Sequence, residues 1–174
     1  MQMPERLDAF QDVPTIQIYR TDDIVNEEVL KLYAHPDIYH YDNPENLWEK
    51  KHAELEPLFM SIVYCVANYA QLTDPSFYQL ELDGWCVTTP ESNTHLLKHD
   101  HAEHADIIAT YYAVNDNPDR QGDILMYKPD IDLAFQYRPF PGTLLLFPGN
   151  WSHQVTPYTG ARFSIATNIR IKYE

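Results

Sequence analysis

The chain is short of cysteine, of basic residues and of long apolar runs, and each shortage removes a class of protein. Its two cysteines, Cys65 and Cys86, sit in the runs Val63-Tyr64-Cys65-Val66 and Trp85-Cys86-Val87 and form no CxxC pair. That excludes a disulfide framework and suits two buried free thiols in a reducing compartment. No stretch reaches the ~18 apolar residues of a membrane-spanning helix. Residues 1–12 are polar and lack the apolar segment of a secretion signal. A soluble, cytoplasmic protein is expected. Lys and Arg number 12 against 26 Asp and Glu, for a formal net charge of -14. Such a surface repels phosphate backbones and anionic lipid, which disfavours nucleic acid and membrane as partners. A small neutral or cationic molecule, or a peptide or protein segment, suits it better. Internal repeats, low-complexity tracts and linker-like boundaries are also missing. The 174 residues therefore read as one domain, long enough to bury roughly two thirds of its unfolded surface.

What is present changes character along the chain. Residues 14–20 alternate apolar and polar, which predicts a first strand. Thr21-Asp22-Asp23 then offers a helix N-cap, followed by Ile24, Val25, Val29, Leu30, Leu32 and Tyr33 at near-helical spacing. A longer helix begins near Pro44, with Leu47, Leu55, Leu58, Phe59, Ile62, Val63, Val66 and Tyr69 as its buried stripe. Pro57 should kink or divide it. After Asp74-Pro75 the texture turns to short segments rich in Tyr, Val, Ile, Leu and Thr. Strands are expected at 77–82, 84–89, 95–101, 107–114, 123–127, 133–137, 143–147, 152–156 and 162–171. Many short strands at such spacing indicate a sandwich or barrel. The expected layout is a helical part over 1–75 packed on a β core over 76–174.

The chemistry concentrates in the β part. In residues 95–104, HLLKHDHAEH, the side chains of His95, Leu97, His99, His101 and Glu103 share one parity. On an extended segment one face therefore presents His99 with His101, or His101 with Glu103, to a single metal. The second pair would supply the carboxylate of a two-histidine, one-carboxylate triad. A third ligand, His153, follows the Pro148-Gly149 turn. Imidazole suits iron, zinc, copper or nickel, so the donors leave the metal open. In Arg162-Phe163-Ser164 the arginine and serine share a face, and a guanidinium with a neighbouring hydroxyl grips a carboxylate. Asn168 lies two alternations beyond Ser164, on the face that touches a cosubstrate or a ligand. Tyr112 and Trp85 read first as packing residues, and Asp100 and Asp106 as solvated acids rather than partners of an imidazole. His35, His40 and His52 read as surface residues of the helical part.

The run from His153 to Asn168, HQVTPYTGARFSIATN, preceded by LFP ending at Pro148, resembles the C-terminal signature of iron(II)- and 2-oxoglutarate-dependent oxygenases. It is most similar to small oxygenases of phage and marine bacterial type that carry an H-V-H-P-G-S motif. The resemblance covers about residues 77–171. It implies a double-stranded β-helix, a jelly-roll of cupin-like form with a metal at one end. It also implies Fe(II) held by His99, His101 and His153, with Glu103 as the alternative carboxylate ligand. Arg162 and Ser164 would bind 2-oxoglutarate, and no protein side chain beyond the metal ligands would be catalytic. Dioxygen would be the second cosubstrate, and hydroxylation of an amino acid, peptide, protein or small molecule, with succinate and CO2 released, the expected outcome. This sequence has Ala102-Glu103-His104 where that group has P-G-S, and histidine where most such enzymes have the aspartate of H-x-D. Two rival readings are a cupin-like metalloprotein, either a three-histidine dioxygenase or an isomerase, that does not use 2-oxoglutarate, and a non-catalytic jelly-roll binding or virion protein.

Overall fold

A computed structural model describes residues 16–21, 46–89, 96–129 and 135–173, and the backbone of 5–6. Among the described residues nine strands form two sheets. They are β1 (Glu5–Arg6), β2 (Gln17–Arg20), β3 (Tyr78–Thr89), β4 (Ile107–Asn115), β5 (Ile124–Tyr127), β6 (Phe135–Tyr137), β7 (Thr143–Pro148), β8 (Ser152–Val155) and β9 (Arg162–Tyr173). The larger sheet has the order β1-β2-β7-β4-β9-β3 and the smaller β6-β5-β8. Every strand pairing is antiparallel. This is the expected double-stranded β-helix.

Among the described residues one α-helix, α1 (Glu56–Tyr69), covers the outer face of the larger sheet. Leu58, Ile62, Cys65, Val66 and Tyr69 pack on Ile107, Ala109 and Tyr111 of β4, Leu144 and Leu146 of β7, and Ile165 and Ile169 of β9. Ile108 and Tyr112 of β4 and Leu145 and Phe147 of β7 point the other way. They meet Ile124 and Met126 of β5 between the sheets. Because side chains alternate along a strand, β4 and β7 are buried on both faces and read as nearly continuous apolar runs. Pro57 stands in the first turn of α1, where its missing N–H leaves nothing unpaired. Residues 47–51 form turns and a 3-10 turn over Ala53–Leu55 follows, so the long helix expected from Pro44 begins, among the described residues, only at Glu56. Among the described residues no helix is long and apolar enough to cross a membrane.

Three expectations need correction. The strands expected at 77–82 and 84–89 are one, and Asp83, where the break was expected, lies in its middle beside Gly84. A side chain at 84 would collide with Trp48, its Cβ falling 2.1 Å from the indole nitrogen. The Trp48 indole packs against Gly84 and donates to Thr167 Oγ1 at 3.1 Å. The strand expected at 95–101 reduces, over the described 96–101, to a single bridge between His99 and His153. His52, expected at the surface, is half-buried. The helix expected at 24–33, the N-cap at 22–23, Pro44, His35, His40 and His95 lie outside the described residues. The remaining strands follow their expected bounds to within two residues over the described part.

Candidate metal centre

His153 leaves β8 toward the space between the sheets, and His99 reaches the same point from the segment beside it. The two residues exchange both backbone hydrogen bonds, 3.0 and 2.8 Å long, so their side chains emerge on one face. His101 comes in by a different route. Its N–H donates to the Gly149 carbonyl at 2.9 Å, and its own carbonyl accepts from His104 and Ala105 at 2.8 Å, which curls the chain into a turn. That close approach requires glycine at 149, where a Cβ would sit 2.0 Å from the Ala105 carbonyl oxygen. Asp106 Oδ2 accepts from Ile171 N at 2.8 Å, and Arg170 Nε donates to the His104 carbonyl at 2.9 Å, tying the turn to β9. Asp100 Oδ1 accepts from Ala102 N at 3.2 Å. Both acids therefore hold backbone.

One ligand nitrogen from each of His99, His101 and His153 lies within 4.8 Å of the others. Glu103 is exposed on the turn and stands outside this group. The His99 and His153 rings have centroids 4.3 Å apart, and the His101 and His153 rings stack at 5.3 Å. Nδ1 of His99 is 2.7 Å from the Leu97 carbonyl, and Nδ1 of His153 is 3.4 Å from that of Trp151. A ring that donates from Nδ1 keeps its Nε2 lone pair for a metal. Burial is the first cause that lowers all three pKa values, and mutual repulsion adds to it for His101 and His153. His101 is brought to about 4 and His153 falls well below the ordinary range. At neutral pH the cluster is three uncharged donors, the form a metal binds. Trp85 of β3 stacks on His101 at 6.0 Å, and Phe147 of β7 meets His153 edge-on at 5.1 Å.

Deeper on the same inner face is a buried cation. Arg162 is 4% exposed and Ser164 2%. Among the described residues no acidic side chain pairs with Arg162, and its Nε is buried without a partner. The guanidinium lies between aromatic rings, 5.2 Å from the centroid of Tyr112 and 5.8 Å from that of Tyr158. Tyr112, directly across from Ser164 in the β4–β9 register, is fully buried with its hydroxyl unpartnered. Burial raises that phenol to about 12, against the pull of Arg162, so it stays protonated and able to donate. Arg162, Tyr112 and Ser164 together form a buried set of donors that no acidic side chain among the described residues joins. Tyr112 was legible only as a packing aromatic, because its alternation marks burial and not an unmet hydroxyl. Tyr158 carried no signal beyond its place in a turn-rich segment.

No family profile matches the chain, and no curated protein matches its sequence. Solved structures do resemble it. A prolyl-4-hydroxylase from Pseudomonas putida superposes with a TM-score of 0.57 at 15% identity, over 68% of this chain and 67% of that one. A prolyl hydroxylase from Trichoplax adhaerens, in complex with a hypoxia inducible factor oxygen degradation domain peptide fragment, gives 0.52 at 12% identity, over 96% and 70%. At such identities the likeness is one of fold, and the double-stranded β-helix of these hydroxylases is the fold of this chain.

Proposed function

We propose that the protein is an iron(II)- and 2-oxoglutarate-dependent oxygenase, with His99, His101 and His153 as metal ligands and Arg162 and Ser164, joined by Tyr112, as the carboxylate grip. One observation carries this reading. A cluster of neutral imidazoles and a buried, acid-free arginine share the interior of one β-helix. An unpaired buried guanidinium is costly, and a bound carboxylate relieves that cost with parallel hydrogen bonds. The donor set fits iron, since imidazole is an ordinary ligand for it and the rings are held uncharged. Iron bound there supplies dioxygen activation coupled to oxidative decarboxylation of 2-oxoglutarate to succinate and CO2.

The chain's own residues position and shield. Arg162 and Tyr112 orient the cosubstrate's distal carboxylate, and Phe147 and Trp85 exclude water from two sides of the imidazoles. Hydroxylation of an amino acid, peptide, protein or small molecule is the outcome we assign, and one fold neighbour is in complex with a peptide fragment. The chain acts as one domain in a reducing, cytoplasmic setting, in keeping with two buried free thiols. The donor set favours one rival, because three imidazoles and no carboxylate also suit a cupin-like metalloprotein that does not use 2-oxoglutarate. That rival gives Arg162 nothing to bind.

Anaerobic addition of 2-oxoglutarate to the Fe(II)-loaded protein separates the two readings. A weak visible charge-transfer band is expected, and Arg162→Met should abolish it while iron stays bound. Iron binding with no such band supports the cupin-like protein. A band that survives Arg162→Met removes the assigned grip.

A further inference from the structure

The three imidazoles are not held alike. A main-chain carbonyl two residues upstream fixes the ring of His99 and that of His153. Among the described residues no carbonyl does this for His101. The chain curls away after His101, so the upstream oxygen, that of His99, is already taken by His153 N–H. Without another partner this ring would be free to turn.

Asn168 stands where such a partner is needed. It lies on the inner face of β9, across from Ile108 on one side and Asp83 on the other. Two residues before it on that face, Ala166 is paired with Trp85, whose indole stacks on His101. Two residues after it, Arg170 holds the carbonyls of Glu103 and His104 in the turn that follows His101. The amide is thus bracketed at the level of the His101 ring. Its Oδ1 is buried and makes no full hydrogen bond, and its side chain interacts with that ring.

We propose that Asn168 is the positioning residue of His101: its side-chain oxygen accepts a hydrogen bond from one ring N–H and turns the other nitrogen toward His99 and His153. An amide suits the task better than a carboxylate, because it sets the tautomer without adding charge beside three neutral donors. The role is one of orientation.

The proposal rests on the three histidines being metal ligands, and the test separates the two claims. Co(II) is titrated into the full chain against a competing chelator, for wild type, His101→Ala, Asn168→Leu and Asn168→Asp. Loss of the ligand itself should exceed the effect of losing its support. Asn168→Leu, which keeps the volume and removes the acceptor, should weaken Co(II) binding by roughly 10–100-fold, and Asn168→Asp should restore most of it. Nitrogen-15 spectra of the metal-free imidazoles, at a pH above their titration, should show one tautomer for His101 in wild type and a mixture in Asn168→Leu. His99 and His153 should not change. A merely structural role would lower the melting temperature without altering the tautomer. If Asn168→Leu does not fold, Asn168→Ala gives the same readouts. Retention of both Co(II) affinity and tautomer in the Asn168 variant, with affinity lost in His101→Ala, overturns the assignment of Asn168. Retention of Co(II) by His101→Ala overturns the metal site itself.

Discussion

The larger sheet presents two unlike surfaces on the same strands. Its outer face, under α1, is apolar almost throughout, with Ile107, Ala109, Tyr111, Leu144, Leu146, Ile165 and Ile169 all nearly inaccessible. Its polar intrusion, Thr167, is satisfied by the Trp48 indole. The inner face begins the same way, with Ile108, Leu145 and Phe147, but β9 then adds Arg162, Ser164 and Asn168. Tyr112 Oη, Arg162 Nε and Asn168 Oδ1 are all buried on that side without a full hydrogen bond. One face therefore stabilises the fold, and the other carries the polar groups of the candidate site. Strand alternation lets both exist on one backbone, since each residue's face is set by parity.

The largest expected effect breaks the stable face. Leu146→Ala, at a fully buried site beneath α1, should destabilise by about 2–5 kcal/mol in urea unfolding. Metal affinity of the folded protein should be unchanged, and a parallel fall would show that the faces are not separable. Acid tests the inner face next. The folded-state pKa values of the three histidines are lowered, so the unfolded chain takes up protons first as pH falls below about 6.5. Stability of the metal-free protein should fall from there toward pH 4, by at most about 1.4 kcal/mol per pH unit for each histidine. His153→Gln should flatten this slope and Leu146→Ala should not. The smallest effect has the opposite sign. Arg162→Met removes a buried cation that no acid pairs with, and should raise stability by on the order of 1 kcal/mol while abolishing 2-oxoglutarate binding. Destabilisation instead would mark Arg162 as a structural residue.

How much was legible follows from the range of each signal. The strands of the β part could be read because alternation and turn residues act over four to eight positions. The break expected at Asp83 does not occur, and the glycine after it makes room for a distant tryptophan, a role with no local signature. Parity paired His99 with His101 and equally His101 with Glu103, and local pattern had no means of choosing. The turn after His101 leaves Glu103 exposed, and the backbone pairing of His99 with His153 brings the third imidazole to the other two. The unmet hydroxyl of Tyr112 and the stacking of Trp85 on His101 had no local signature, because each depends on a residue from another strand.

By itself the sequence determined the fold class, most strand positions of the β part, and the short inventory of groups able to do chemistry. These depend on side-chain type and on a period of two, both of which are written locally. Only the tertiary structure decided which of those groups meet. Hydrogen bonds across the His99 and His153 pair, the Gly149 contact and the β4–β9 register bring residues 54 positions apart to one point. That no acid among the described residues pairs with Arg162 could be seen only there too, because a buried charge is unpaired in space, whatever its neighbours along the chain.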